Sequence, residues 1–293
     1  MAAIHYLTAP ALRYSLEVAQ YGSISEASLH LNVATSAISR QISTLEDHLG
    51  TLLFERRPRG MLLSASGELL AAYARKMKLE TDRVISEVRA LEGLQKGQVV
   101  IATTEGFAME FLPYLIGQYQ HIFQGIQFKL DIYSPQEVAN IVRKGEADIG
   151  LSFSLNPSPD IRVLHLQPSP IMAIVHPTHP LAKKQRVNLA QVTAYPLALS
   201  YPNTTVRKLF DICISQQQLN YEAVFVSNYM SALNQFALNN KGISLSGEIS
   251  VRRLVLSGKV KAIPITDKGM GIRNIEVQVL AGRTPSQGSP IFQ

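Results

Sequence analysis

The sequence predicts an α/β protein in three parts: an all-α N-terminal domain over residues 1–65, a linker helix and hinge over residues 66–96, and a two-lobed α/β domain over residues 97–293. Three observations predict this architecture. Two short amphipathic helices with a tight turn lie near the N-terminus, a helical stretch with a seven-residue apolar repeat follows, and strands then alternate with helices. The length of 293 residues and the apolar content of 46% suffice for several separate cores.

The first two helices are predicted from their caps and their apolar spacing. Ser23 with Glu26 three residues later is typical of a helix N-terminus, and Gly50 supplies the left-handed residue with which a second helix ends. Apolar residues between them recur at steps of three and four, which gives each helix one face to bury: Ala27, Leu31, Ile38, Ile42, Leu45 and Leu49. The stretch therefore predicts a helix-turn-helix.

The opposite face of the second helix is polar and suits contact with DNA. It carries short hydroxyl groups and one long cation: Thr35, Ser36, Ser39, Arg40 and Ser43. Such side chains let a recognition helix approach base edges closely and donate to phosphates and bases. With Ser23 and a basic turn at Arg56, Arg57 and Arg59, they are the predicted DNA contacts. The alternative is a small helical hairpin whose serine-rich face is only solvated.

The overall charge does not decide between these interpretations. Residues 1–96 carry 11 Lys and Arg against 10 Asp and Glu, whereas residues 97–293 carry 17 against 12. Most of the net charge of +6 therefore lies outside the predicted DNA-binding domain, and the pI of 9.4 is not evidence for DNA contact. The local arginine cluster is such evidence.

Several short motifs stand at fixed spacing between residues 12 and 77. They are Gly22-Ser23-Ile24, Ala27, Leu31, Ala37-Ile38-Ser39-Arg40-Gln41-Ile42, Leu45-Glu46, Leu49-Gly50, Leu53-Phe54-Glu55-Arg56 and Leu63-Ser64-Ala65-Ser66-Gly67-Glu68. In these motifs the stretch resembles the winged helix-turn-helix of the LysR-type transcriptional regulators, which implies sequence-specific binding to double-stranded DNA. That family usually opens its recognition helix with Ser-Gln-Pro. This chain has Ala34-Thr35-Ser36 there, so we expect the N-cap to shift to Thr35.

A stretch rich in Ala, Glu, Lys, Arg and Leu predicts one long helix from Ser66 to about Leu94, with a hinge marked by Gly93 and Gly97. One seven-residue repeat contains Leu70, Met77, Val84 and Leu91, with Tyr73 and Leu94 at companion positions. The helix either lies on its own domain or pairs with a second copy, and the repeat favours pairing. The resemblance also implies a homodimer or homotetramer, whose twofold symmetry matches a pseudo-palindromic operator.

The C-terminal part alternates strands with helices, which implies parallel βαβ units. Predicted strands cover residues 98–103, 128–133, 148–153, 171–175, 197–200, 222–226 and 242–245. Predicted helices cover 107–119 and 135–144 and begin near Thr205 and Met230. The motifs Leu112-Pro113, Gly145–Gly150, His179–Ala182 and Gly242-Ile243 resemble the effector domain of the same family. The resemblance implies a two-lobed periplasmic-binding-protein-like fold. After Ala281 the sequence departs from the family, which normally ends there with an amphipathic helix.

Open α/β sheets bind ligands beyond the carboxyl ends of their strands, next to helix N-termini. Polar residues stand at four such positions: Thr103 and Thr104, Ser134, Asn203 with Thr204 and Thr205, and Ser227 with Asn228. Hydroxyl and backbone N–H groups that converge between two lobes suit a carboxylate or a similarly polar ligand. The alternative for each residue is plain N-capping. The set predicts an anionic or polar small-molecule effector bound between the lobes.

The sequence carries no recognisable catalytic or metal-binding constellation. His176 and His179 are separated by a proline, and no Gly-x-Ser-x-Gly, phosphate-binding loop or Cys-x-x-Cys motif occurs. The single cysteine, Cys213, excludes an intrachain disulfide. We therefore expect no catalytic residues, no metal and no cofactor.

Two classes of function remain. The first is a ligand-responsive transcription regulator, which would also contact RNA polymerase if it activates transcription. The second is a solute-binding module or transport receptor built from the same two lobes, and an enzyme ranks third because no nucleophile–base pair is present. The sequence has no run of 18 uncharged apolar residues and no signal-peptide pattern, which predicts a soluble, cytoplasmic protein and disfavours the receptor.

Overall fold

The computed structural model describes residues 10–57, 60–91, 97–155, 161–239 and 242–281. Among these residues, no helix is long and apolar enough to cross a membrane. The chain divides into two compact units, Met1–Ile85 and Ser86–Gln293. The predicted hinge residue Gly93 and the stretch after Ala281 lie outside the described residues, whereas Gly97 opens a strand.

The described part of the first unit begins with three helices, α1 (Pro10–Tyr21), α2 (Ile24–Leu31) and α3 (Thr35–Leu49). Two predicted caps are confirmed: the Ser23 hydroxyl accepts a hydrogen bond from the Glu26 N–H (3.4 Å), and Gly50 has a left-handed φ of 66°. The predicted shift of the α3 N-cap to Thr35 is wrong. Ala34 is the N-cap, and its methyl side chain has no atom that could accept a hydrogen bond. Its backbone carbonyl accepts from the N–H groups of Ala37 (3.0 Å) and Ile38 (3.2 Å).

The apolar faces of these helices meet in one core. Its buried residues are Ala11, Leu12, Val18, Ala27, Leu31, Ile38, Ile42 and Leu45, joined by Leu53, Phe54 and Ala74. Of the predicted core positions in α2 and α3, only Leu49, the last residue of α3, is exposed. Glu46 fixes the end of α3, because its carboxylate accepts hydrogen bonds from the N–H groups of Leu53 (2.7 Å) and Phe54 (3.3 Å).

The basic segment after α3 is a two-stranded antiparallel hairpin, where the sequence predicted only a turn. Its strands are β1 (Phe54–Arg57) and β2 (Gly60–Leu63), and its tip at Pro58 and Arg59 lies outside the described residues. Gly60 has a φ of 130°, and a Cβ atom at this position would lie 2.4 Å from the Gly22 carbonyl oxygen. Glycine therefore allows β2 to pass close to the end of α1.

The long helix α4 (Ala65–Leu91) starts at residues that belong to the N-terminal core and continues as a more exposed rod. Leu70, the first member of the predicted seven-residue repeat, packs against that core. Met77 and Val84 are 37% and 46% exposed, whereas the Leu91 side chain and all of Leu94 lie outside the described residues. Among the side chains of this helix that the structure describes, the other large apolar ones that are exposed are Leu69 and Tyr73.

The second unit holds two five-stranded mixed sheets, and each sheet with its helices forms one lobe. Lobe 1 contains β3 (Gly97–Thr103), β4 (Ile126–Ile132), β5 (Ile149–Ser154), β6 (Ile161–Pro168) and β12 (Asn274–Leu280), in the order β4-β3-β5-β12-β6. Lobe 2 contains β7 (Ile171–Val175), β8 (Leu197–Ser200), β9 (Ala223–Ser227), β10 (Ile243–Gly247) and β11 (Lys261–Pro264), in the order β11-β7-β10-β8-β9. The predicted parallel units are confirmed around β3 and β8, and antiparallel strands complete both sheets.

Helices stand between successive strands of both lobes. They are α5 (Glu105–Ala108), α6 (Phe111–Ile122), α7 (Pro135–Arg143), α8 (Leu189–Val192), α9 (Thr205–Gln217), α10 (Met230–Leu238) and α11 (Arg252–Leu256). The single helix predicted over residues 107–119 is in fact the pair α5 and α6. A continuous helix would place Pro113 in its interior, where the ring clashes with a preceding carbonyl, so the second helix begins at Phe111 and keeps Pro113 in its first turn.

Within the part of the chain that the structure describes, two segments cross between the lobes. The chain passes from β6 to β7 through Ser169 and Pro170, and from β11 to β12 through residues 265–273. The strand registers pair Gly247, the last residue of β10, with Ile171, and Ser154, the last residue of β5, with Asn274. The carboxyl ends of the central strands of both sheets therefore lie beside the crossovers, where each lobe faces the other.

Replacing Val84 by Glu should weaken self-association through α4. An unpaired charge in an apolar helix–helix contact is costly, so we expect the dissociation constant to rise about tenfold or more. Light scattering at micromolar concentration measures the mass of the full-length protein. Ala72→Glu places the same charge on another exposed face of α4 and serves as the control. An unchanged mass for Val84→Glu would show that other surfaces hold the assembly.

Candidate DNA interface and effector cleft

The polar face of α3 is presented to solvent as the sequence predicted. Ser36, Arg40 and Ser43 are exposed and follow one another at steps of four and three residues, so they share one side of the helix. Thr35 is exposed at the first turn, and Ser39 is half-buried. The opposite side of α3 is anchored in the core through Ile38, Ile42 and Leu45. One face of the helix is therefore fixed in the core, and the polar face is free to contact DNA.

The remaining predicted DNA contacts differ in how free their side chains are. Arg56 on β1 is exposed. Arg57 is exposed too, but its guanidinium lies 2.9 Å from the carboxylate of Glu55. Such a surface pair contributes little free energy, so a phosphate would readily replace it. The Ser23 hydroxyl is engaged as the cap of α2, and Arg59 lies outside the described residues.

Thr103 and Thr104 stand at the carboxyl end of β3, and their hydroxyl groups differ. The Thr103 hydroxyl is fully buried and donates to the Leu151 carbonyl at 2.8 Å. The Thr104 hydroxyl is buried as well, but among the described residues it has no hydrogen-bond partner, although Thr104 is the N-cap of α5. A buried polar group without a partner is costly. Thr104 is therefore the better candidate for ligand contact.

Ser134 follows β4 and forms a complete capping box. Its hydroxyl accepts from the Glu137 N–H (3.4 Å), and the Glu137 carboxylate accepts from the Ser134 N–H (3.0 Å). Hydrogen bonding to Ser134 lowers the pKa of the Glu137 carboxyl group. For Ser134 the structure thus supports N-capping directly.

The predicted residues of lobe 2 lie at the carboxyl ends of β8 and β9. The Thr204 hydroxyl accepts from the Arg207 N–H (3.2 Å) and lies 2.7 Å from the Ser200 hydroxyl. The Ser227 hydroxyl accepts from the Tyr229 N–H (3.0 Å). The other members of this set are Asn203 and Asn228, which are exposed, and Thr205, which is buried in the first turn of α9.

Two carboxylates that the sequence interpretation missed join the lobes. Glu105 of α5 accepts hydrogen bonds from the N–H groups of Met230 (2.7 Å) and Ser231 (3.1 Å), which open α10 in lobe 2. Glu110 accepts from the Arg253 N–H (3.0 Å) in the first turn of α11. Carboxylates are favourable at helix N-termini because the first N–H groups lack partners within the helix. Contacts more than a hundred residues apart leave no local signal in the sequence.

Arg273 was also missed, and it lies in the second crossover. Its side chain is 1% exposed, its Nε donates to the Ser169 carbonyl (3.1 Å), and one Nη donates to the Ser169 hydroxyl (3.3 Å). The guanidinium carbon stands 4.0 Å from the centre of the Phe153 ring. Burial lowers the pKa of Arg273 to about 9. A basic residue directly before a buried strand was the available sequence signal.

The described residues show little other reactive chemistry. They contain no group of three or more His, Cys, Asp and Glu residues arranged to hold a metal ion. Cys213 is buried in the lobe 2 core, and burial together with Asp267 raises the pKa of its thiol. A thiol with a raised pKa is a poor nucleophile.

The family assignment follows from two matches. Residues 10–68 match the bacterial regulatory helix-turn-helix protein, lysR family, and residues 92–288 match the LysR substrate binding domain. The chain therefore belongs to the LysR-type transcriptional regulators. It is a DNA-binding regulator with an effector-binding domain and not an enzyme, which confirms the leading interpretation of the sequence. Proteins of this family bind DNA and small-molecule effectors and form oligomers.

Named relatives agree with this assignment. The chain is 29% identical over 208 residues to the HTH-type transcriptional regulator SsuR of Burkholderia cenocepacia. The aligned region covers 70% of this chain and 68% of that protein. Its fold is similar to full-length OxyR from Pseudomonas aeruginosa, with a TM-score of 0.70 and 18% identity over 92% of this chain and 88% of that one. It is also similar to full-length LysG from Corynebacterium glutamicum with bound effector Arg, with a TM-score of 0.66 and 20% identity over 94% and 92% of the two chains.

Replacing Arg40 by Ala should weaken DNA binding about tenfold, because one donor to a base or phosphate is lost. If the lost contact is to a phosphate, the plot of the logarithm of the binding constant against the logarithm of salt concentration also becomes less steep, by about one. Titrations of the full-length protein on a DNA site selected from a random-sequence library measure both quantities. Arg13→Ala, which removes an exposed arginine from α1, is the control. Wild-type affinity for Arg40→Ala would exclude this docking of α3.

The two threonines at the end of β3 should differ in how replacement by Val changes the free energy of unfolding. Thr103→Val should lower the free energy of unfolding by about 1 kcal/mol, because the Leu151 carbonyl loses a buried donor. Thr104→Val should not lower it, because its hydroxyl has no partner among the described residues. Urea unfolding of the full-length variants, followed by circular dichroism, compares them. Equal losses would contradict the distinction drawn between the two hydroxyl groups.

Proposed function

We propose that this protein is a cytoplasmic, homo-oligomeric regulator that binds a pseudo-palindromic DNA operator and is controlled by an anionic or polar metabolite bound between lobes 1 and 2. Residues 1–65 would read DNA, residues 66–96 would link and pair the subunits, and residues 97–293 would bind the effector. If the protein activates transcription, RNA polymerase is a further partner.

The DNA-binding half of the proposal is supported by α3 and β1. The exposed Ser36, Arg40 and Ser43 share one side of α3. Arg56, on the strand β1 that follows α3, is a second exposed cation. Short hydroxyl groups beside arginines suit the major groove and its flanking phosphates. Paired copies would present two such helices, which is the arrangement that half-sites in an operator require.

The effector half depends on one observation above all. The buried Thr104 hydroxyl, at the carboxyl end of β3 in lobe 1, lacks a partner among the described residues. Thr204 and Ser227 mark the corresponding strand ends in lobe 2. A ligand that supplies the missing hydrogen bond removes a free-energy cost that the protein otherwise bears. The similar structure of LysG contains a bound effector, Arg, which agrees with a small polar molecule as the ligand of this fold.

Two linked measurements test the function of the full-length protein. DNA sites are first selected from a random-sequence library, and native mass spectrometry then identifies compounds that the protein retains from a metabolite extract. We expect a selected site with two related half-sites and a retained anionic or polar compound that shifts DNA affinity about 5-fold or more. Unselective DNA binding, or retained compounds that leave DNA affinity unchanged, would contradict the proposal.

Thr104→Val is the variant that connects the measurement to the cleft. It should keep wild-type DNA affinity without the compound and lose most of the response to it. Ser215→Val, at an exposed position of α9, controls for the loss of a hydroxyl group elsewhere in lobe 2. A full response in Thr104→Val would place the effector away from this strand end.

A further inference from the structure

Arg273 is a buried cation whose hydrogen-bonding capacity is only partly used. A guanidinium carries five N–H donors. The described hydrogen bonds use Nε and one Nη, both toward Ser169, and the other Nη has no partner among the described residues. Within the same residues, no Asp or Glu carboxylate forms an ion pair with Arg273. Donors therefore remain for a group that these residues do not supply.

Two other charged groups of the second unit, Glu276 and Arg207, find their partners within the described chain. Glu276 is fully buried and accepts hydrogen bonds from the Ser154 hydroxyl and from the Gln278 side chain. Arg207 donates to both oxygens of Asp211, at 2.8 and 2.9 Å. Charges removed from water normally either meet an opposite charge, as Arg207 does, or have both of their polar atoms hydrogen-bonded, as Glu276 does, because an uncompensated charge is costly. Arg273 departs from that rule, and its lowered pKa expresses the same cost.

The surroundings of Arg273 come from both lobes. The Phe153 ring of β5 lies under the guanidinium, and Ser169 belongs to the first crossover. Gly247 ends β10, and a Cβ atom built on it would lie 2.2 Å from an Nη of Arg273. Glycine at this position leaves the space that the guanidinium occupies. Arg273 thus stands at the base of the face between the lobes, next to the carboxyl ends of β5 and β10.

Thr104 lies near the same strand. Its N–H donates to the Leu151 carbonyl (3.2 Å), and Leu151 precedes Phe153 by two residues, a distance of about 6–7 Å along β5. The unpartnered Thr104 hydroxyl and the underused guanidinium therefore neighbour the same short segment of β5. A ligand that contacts both groups would lie along this segment of β5.

We propose that Arg273 binds the carboxylate group of the effector. The planar fork of a guanidinium matches the two oxygens of a carboxylate, and Arg273 keeps free donors on both Nη atoms for such a contact. The inference rests on the proposed function, since it assigns a ligand class and a specificity residue to the same cleft. It predicts a small carboxylate whose remaining polar group accepts from or donates to Thr104.

Formate, the smallest carboxylate, is the probe for the full-length protein. Melting temperatures are measured in sodium formate, in sodium chloride of equal ionic strength, and in chloride with the neutral analogue formamide. Formate should raise the melting temperature of the wild type by about 2–4 °C over chloride, and formamide should not. The increase should vanish in Arg273→Met and persist in Arg162→Met, which removes an exposed arginine from β6.

Arg273→Lys keeps a cation without the planar fork, and it carries the test if Arg273→Met does not fold. Its formate response should fall to less than half of the wild-type response. The proposal is overturned if formate stabilises wild type and Arg273→Lys equally, or if it stabilises the wild type no more than formamide does. Either result would leave Arg273 as a purely structural link between the crossovers.

The outcome separates this inference from the proposed function. A retained metabolite that shifts DNA affinity equally in wild type and Arg273→Lys would refute the role of Arg273 and leave the regulator intact. A formate response that depends on Arg273, without any metabolite effect on DNA binding, would confirm the carboxylate site and refute the regulatory role of the cleft.

Discussion

The pairing of Ser169 with Arg273 fixes the geometry of the effector-binding domain. These residues lie in the two segments where the chain passes between the lobes, and their main chains are joined by a hydrogen bond from the Ser169 N–H to the Arg273 carbonyl (2.8 Å). The Arg273 side chain adds two further bonds to Ser169. Because β7 and β12 start directly after these segments, the pair determines where the strands of each sheet begin and which strand ends meet across the cleft.

Local signals in the sequence predicted much of the fold. The cap at Ser23, the left-handed Gly50 and the apolar faces of α2 and α3 each depend on residues within a few positions of one another. The strands Ile171–Val175 and Leu197–Ser200 were predicted with their observed bounds, because short buried strands read as continuous apolar runs between breaks. The strands of the hairpin after α3 were missed, since each is only four residues long and the first of them, Phe54–Arg57, is largely polar.

The candidate cleft was predictable only in outline. Polar residues after strands marked the correct edge of each sheet, yet the sequence could not tell a hydroxyl that is used from one that is not. Thr103 and Thr104 are adjacent and chemically identical, and only the position of Leu151, 48 residues away from Thr103, distinguishes them. Glu105 and Arg273 gain their roles from partners that are distant in sequence, so no periodicity or motif reports them.

The carboxylates of Glu105 and Glu110 bear on the thermodynamics of ligand binding. Each bonds to the first turn of a helix in the opposite lobe, and these bonds are formed by the chain alone. The lobes are thus held near one another by internal contacts. The binding energy of a ligand therefore need not offset the whole entropy cost of bringing the two lobes together. Such preorganisation favours tight binding of a small molecule with few contacts. A ligand that needed the lobes further apart would first have to break the two carboxylate contacts, at a cost to its affinity.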